Sequence, residues 1–290
     1  MIIPAGARLR RDALFGLFLS TVVGCGSQFD PPSRVTKLRL LAVTADQPWA
    51  HAGETVTLQA LAHDPAGRAI RWGWATCTNP AAATVMGCLA SLDPGSFVLG
   101  TSSHTIAVPP SVRVGRGAMI GVVTIACPGT LAQVPGQVPF RCNDGARDLA
   151  TNEFEIGMKR VLLRATDRNE NPRIDRVTFD GADWPEDRVP EVGTCAEEKV
   201  DDCPDAHAIE VRASRVESGV DELGTPYTEQ LVIQYYATEG TFDVEVRTVE
   251  LPETRWIARP HTAGTTIEVF LVARDDRGGS IWARRRVRVR

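Results

Sequence analysis

The sequence predicts an all-β protein built as two tandem β-sandwiches. Three observations predict it. Apolar and polar residues alternate with a period of two in one short segment after another, the pattern of strands with one face in a core and the other in solvent. Turn chemistry separates those segments, as in Asp64-Pro65-Ala66-Gly67, and the 25 glycines and 19 prolines are scattered along the chain rather than clustered. Behind an apolar N-terminal segment about 265 of the 290 residues remain, enough for two domains of ordinary size at ~100–200 residues each.

The N-terminal segment comes first in order. Arg8, Arg10 and Arg11 precede an apolar run over residues 13–24. That run is far shorter than the ~20 residues a spanning helix needs, so residues 1–24 are expected to be an export signal rather than a membrane helix. Val22-Val23-Gly24-Cys25 resembles the lipobox of bacterial lipoproteins. The resemblance implies cleavage before Cys25, a diacylglyceryl thioether on its sulfur and a further acyl chain of the palmitate type on its amino group. Two or more chains hold a protein firmly, at ~0.8 kcal/mol per buried methylene. Gly26 and Ser27 follow where the family's retention signal has Asp, which implies a lipid-anchored outer-membrane location, facing the periplasm or the surface. Residues 25–35, with Pro31 and Pro32, read as the lipidated cysteine and an extended tether.

Cysteine arithmetic agrees with export. Of seven cysteines, setting Cys25 aside leaves Cys77, Cys88, Cys127, Cys142, Cys195 and Cys203, an even number for an oxidising compartment. Fifteen connectivities are open to six cysteines. Pairing of sequence neighbours is favoured, because each pair brackets a short polar or Pro/Gly-bearing loop. Zinc is not indicated, since Cys-x-x-Cys and His-pair spacings are missing.

The first sandwich is expected over residues 36–165. In residues 54–62, Val56, Leu58, Ala60 and Ala62 share one face while Thr55, Thr57 and Gln59 share the other. A turn at residues 64–67 leads to a strand containing Trp72 and Trp74. This segment is similar to the strand-turn-strand of PKD and bacterial immunoglobulin-like domains, which implies a core position for one of the tryptophans. Residues 104–108, 118–126 and 155–165 supply further strands. Residues 76–95 and 128–148 are loops longer than a minimal sandwich needs, each with a proposed disulfide.

A linker over residues 166–172 leads to the second sandwich at residues 173–290. Strands are expected at residues 174–179, 207–213, 229–237, 241–249, 265–273 and 280–290, with Gly240 as the turn of a hairpin. The ending, with its turn at residues 275–279, is similar to the last hairpin of PKD and related domains.

The linker carries the most suggestive polar cluster. Asp167-Arg168-Asn169-Glu170-Asn171-Pro172 resembles the calcium-binding linker of cadherins, and calcium takes six to eight hard oxygen ligands. Asp167, Asn169, Glu170 and Asn171 are therefore candidate calcium ligands, against the plain reading of a solvated turn rich in Asp, Asn and Pro. The acidic residues 197–205 read as solvated charge. Arg284, Arg285, Arg286, Arg288 and Arg290 read as the outward charges of an edge strand. A net charge of −4 gives no basic field for nucleic acid.

Enzyme signatures are missing. His51, His63, His104, His207 and His261 show no metal-ligand spacing, and there is no Gly-x-Ser-x-Gly elbow or phosphate loop. The expectation is a non-catalytic envelope lipoprotein, a binding, scaffolding or structural module whose partners are the membrane through its anchor and an envelope protein or polysaccharide. The alternatives are a calcium-stiffened surface adhesin and an extracytoplasmic hydrolase with a dispersed active site.

Overall fold

The computed structural model describes residues 31–136, 138–166, 168–197, 199–214, 216–220 and 225–290. In the first sandwich β1 (Arg39–Ala45), β2 (Trp49–Ala50), β3 (Thr55–His63) and β4 (Arg71–Thr78) are followed by the helix α1 (Val85–Leu89). Next come β5 (Val98–Gly100), β6 (Ser103–Ala107), β7 (Met119–Cys127), β8 (Thr130–Gln133), β9 (Phe140–Asn143) and β10 (Glu155–Leu163). One sheet has the order β1-β3-β6 and the facing sheet β2-β10-β7-β4-β5. The short β2 pairs parallel with the end of β10, and every other pairing is antiparallel.

The second sandwich begins with β11 (Arg173–Phe179), β12 (Ala182–Asp183), β13 (Glu191–Val192), β14 (His207–Ser214), β15 (Ser218–Val220) and β16 (Pro226–Thr228). It is completed by β17 (Leu231–Ala237), β18 (Thr241–Phe242), β19 (Val246–Thr248), β20 (Glu253–Ile257), β21 (Thr266–Asp275) and β22 (Ser280–Val289). Its sheets run β12-β11-β14-β20-β18 and β13-β22-β21-β17-β19, again with a short parallel strand, β13, against the last long one. Two antiparallel sheets, a first strand that switches sheets to pair in parallel with the last, and a buried tryptophan define both units as immunoglobulin-like sandwiches. Trp74 on β4 and Trp256 on β20 are fully buried, and Trp184 is nearly so.

One expected element divides. Residues 241–249 read as a single strand after a hairpin at Gly240, but the chain leaves β17 and crosses to the opposite sheet. There β18 pairs with β20, and β19 then returns to pair with β17. Gly240 serves the crossing. Its φ is +91°, and a Cβ there would lie 2.4 Å from Nε1 of Trp256, so backbone freedom and the bulk of a core tryptophan both require glycine.

The long loops of the first sandwich form a third layer. Every residue of β7 is buried, because its outer face is covered too. Val123, Ile125 and Cys127 pack there with Leu89, Phe97, Leu131, Phe140 and Phe154. The disulfides Cys77–Cys88 and Cys127–Cys142 tie this layer to the sheet, and Cys195–Cys203 closes a loop of the second sandwich. Closing loops of this length restrains the unfolded chain by up to ~3 kcal/mol each.

The sandwiches pack side against side. Leu41, Ala42 and Leu61 point outward from the β1–β3 sheet and meet Phe270 and Val272, which point outward from β21, with Tyr236 and Trp282 at the margin. Residues 33–35 also depart from the extended tether. Val35, only 1% exposed, joins this cluster, and the backbone around it pairs with Ala237 at the end of β17.

Candidate functional site

Polar groups from both sandwiches meet at this junction. Trp49 leaves β2 toward the second sandwich, where its indole N–H donates to the Arg277 carbonyl at 2.9 Å. The Arg277 guanidinium lies 4.1 Å from the ring centroids of both Trp49 and Tyr227. It also donates to Glu217 and Glu229, each at 3.2 Å, and to the Tyr227 hydroxyl. Burial holds the Glu229 carboxyl above its ordinary range, opposed first by the hydrogen bond it accepts from the Glu217 backbone N–H and then by Arg277. Arg164 covers the Trp49 ring at 4.7 Å. Stacked cations on desolvated aromatic faces contribute ~1–2 kcal/mol each.

A second contact bridges the apolar patch. His63 Nδ1 lies 3.1 Å from Glu268 Oε2, and the His63 ring packs on Phe270. Arg284 pairs with the same carboxylate. The His63 imidazole beside it, and then Arg284, hold the Glu268 carboxyl down at about 2 against the opposing effect of burial.

A crevice opens between β1, β10 and the turn joining β21 to β22, with a volume of about 360 Å³. Lys159 reaches into it from β10 with 9% of its surface exposed. Its ammonium donates to the Gly278 carbonyl at 2.5 Å and to Ser280 Oγ at 3.1 Å. Burial, followed by repulsion from Arg274, pushes it down to about 8. Arg274 donates to the Leu41 carbonyl at 2.6 Å while its Nε is buried without a partner. None of these junction residues belongs to a motif. The one signal for Lys159 is its register, in phase with the core residues Val161 and Leu163 of the same strand.

The residues singled out in the sequence fall as follows. Cys25 and Asp167 lie outside the described residues. Asn169 is buried and donates from Nδ2 to Asp275 at 3.3 Å, with its Oδ1 unpartnered. Asn171 donates to the Ala45 carbonyl at 2.7 Å and accepts from the Ser280 N–H at 2.9 Å. Glu170 is exposed, and its backbone N–H donates to Glu217. The neighbouring Arg168 forms a two-pronged pair with Glu54 of the first sandwich, at 2.5 and 3.0 Å. The amides of the linker are thus directed at different protein groups across the junction. Among the described residues no cluster of three or more His, Cys, Asp or Glu is placed to hold a metal ion.

The histidines are dispersed as well. His51 sits by Arg168, His104 stacks on Trp74, His207 pairs with Asp180 and His261 with Glu239. Of the C-terminal arginines, Arg284 and Arg290 pair with Glu268 and Glu191, and Arg285 donates to the Trp184 carbonyl. Among the described residues no helix is long and apolar enough to cross a membrane.

No protein-family model and no curated protein matches the sequence. Solved structures similar to the chain include the titin domains z1z2 in complex with telethonin, 9% identical over 87% of this chain and 96% of that one, at a TM-score of 0.21. Another is the D0-D1 domain of intimin, 12% identical over 86% and 98% of the two chains, at 0.22. The tandem Ig repeats of Dlar are 11% identical over 87% and 97%, at 0.25. Likenesses this loose carry no argument about function.

Proposed function

We propose that this chain is a lipid-anchored envelope lipoprotein of the outer membrane, acting as a non-catalytic binding, scaffolding or structural module for an envelope protein or polysaccharide. The observation that carries the reading is the sequence Val22-Val23-Gly24-Cys25 behind a short basic and apolar segment. Parity supports it, because the six remaining cysteines pair off completely in three disulfides. The junction supports the mechanical half of the reading. Two sandwiches joined by an apolar patch, a doubly stacked arginine and a clasped linker behave as one stiff body, suited to presenting a surface at a fixed attitude to an anchor.

The test is metabolic labelling with an alkyne fatty acid in a Gram-negative host, followed by membrane fractionation. Label on the wild-type chain and recovery in the outer-membrane fraction are expected, with both lost in Cys25→Ala. A Cys25→Ala chain that still carries label, or an unlabelled wild-type chain, would overturn the anchoring. Crosslinking on intact cells would then test the binding role, the expected result being a defined envelope adduct.

A further inference from the structure

We propose that the crevice between β1, β10 and the β21–β22 turn is a binding site for a small oxyanion, a sulfate-like or phosphate group or a carboxylate, gripped by Lys159 and Arg274. The inference stands independently of the anchoring reading.

The unbalanced charge of the crevice carries it. Lys159, Arg160 and Arg274 line it together with Asp275 and Asp276, while residues 40–43 of β1 bring no charge. Three cations thus face two carboxylates, and both carboxylates already accept from neutral donors. Asp275 Oδ1 accepts from the backbone N–H groups of Arg277 and Gly279 at 2.9 and 2.6 Å, and Oδ2 accepts from Asn169. Asp276 accepts from the Gln230 N–H at 3.2 Å. Lys159 and Arg274, in contrast, hydrogen-bond to neutral oxygens, and Asp275 acts on Lys159 only through space. Lys159 has three donors and two such acceptors, and Arg274 has a buried Nε with none. A buried ammonium hydrogen-bonded only to neutral dipoles is destabilised, in general by several kcal/mol, and a hydrogen-bonded counter-ion relieves it.

The walls add a shape argument. β1 is the outer strand of its sheet, and β2 covers β10 only at Leu162 and Leu163. The crevice therefore lies along two strand edges with no ladder partner there, and its volume of about 360 Å³ accommodates an oxyanion on a small carrier but not a folded segment. The Lys159 ammonium is poised by the same features. Burial and Arg274 press it toward neutrality while Asp275 opposes them, and an arriving anion would draw the proton back and hold it.

The test uses the full chain at constant ionic strength, with chloride as reference. Sulfate is the tetrahedral probe, since its charge is constant between pH 6 and 9, and acetate is the carboxylate probe. At pH 7, 10 mM of the matching anion is expected to raise Tm by about 2–3 °C over chloride, and the arm that responds identifies the ligand class. Lys159→Met, checked for folding by near-UV circular dichroism, should lose that increment. Titration calorimetry on the wild type gives an independent readout, expected to show one saturable site whose apparent affinity falls about tenfold from pH 7 to pH 9 as the competent fraction falls. An increment absent from both arms, equal in folded Lys159→Met, or without a pH-dependent saturable site in the wild type overturns the proposal.

Discussion

Trp49 and Arg277 grip each other twice across the junction. The indole N–H donates to the arginine carbonyl at 2.9 Å, and the guanidinium of the same arginine lies 4.1 Å from the indole centroid. The contact joins the short parallel strand of the first sandwich to the final turn of the second. Trp49→Ala removes the ring, its hydrogen bond and the platform for Arg164. We expect a loss of about 3–5 kcal/mol and, more tellingly, a calorimetric trace that divides into two transitions as the sandwiches uncouple. One unbroken transition shifted by less than a degree would show that the apolar patch alone holds the junction.

Glu268 gives the junction an acid limit. Its carboxyl sits at about 2 in the folded protein, because the adjacent His63 and Arg284 favour its ionised form, against an ordinary value of 4.5. A depressed folded value contributes stability that is present above pH 4.5 and lost as pH falls from 4.5 toward 2. At this partly exposed pair screening reduces the contribution to about 1–2 kcal/mol. Glu268→Gln should therefore be less stable than wild type at pH 6, with the two converging near pH 2. Urea midpoints that stay equally far apart over that range would remove Glu268 from the acid response.

The alternation that predicts the inner faces also contains the junction, in a form that period-two reading passes over. In β3 the in-facing set Val56, Leu58, Ala60 and Ala62 is plain, yet Leu61 on the opposite face is apolar as well, and it is one of the residues that meets the second sandwich. In β21 the run from Ile267 to Ala273 is apolar on both faces apart from Glu268, the composition of a strand covered twice. The disulfide neighbours were legible because short loops bring cysteines together. The crossing at Gly240 was not, because β18 and β19 are too short for a pattern and their sheets are set by contacts with β20 and β17. Lys159 and Arg274 meet across 115 residues of sequence, a pairing created by how the sandwiches dock and invisible to any local motif.

Gly121 records how closely the third layer sits on the sheet. A Cβ at this position on β7 would lie 2.6 Å from Cys77 Sγ and 3.0 Å from Cys88 Sγ, inside van der Waals contact with a bond that cannot move aside. Gly121→Ala should lose about 1–3 kcal/mol through overpacking. The steric origin is checked by a double-mutant cycle. In a Cys77→Ala, Cys88→Ala background the same substitution should lose less than half as much. An equal loss in both backgrounds would trace the effect to the backbone of β7 instead.

Lys159 works in the opposite direction, and its sign follows from linkage. Its ammonium is at about 8 in the folded protein, pressed down by burial, while an unfolded lysine stays protonated to ~10.4. Below pH 8 both states carry the charge, and the penalty of burying it is fully present. Between pH 8 and about 10.4 the folded state releases its proton while the unfolded state keeps it, so wild-type stability climbs by about 3 kcal/mol in all. Lys159→Met has no proton to release. In chloride buffers free of oxyanions it should be more stable than wild type by about 1–3 kcal/mol at pH 7, and that advantage should vanish by pH 10.5. Urea unfolding of the two proteins at pH 7, 8.5 and 10 checks it. A constant offset across the three would mean that Lys159 is solvated in the folded state, and that the crevice is no place where charge goes unmatched.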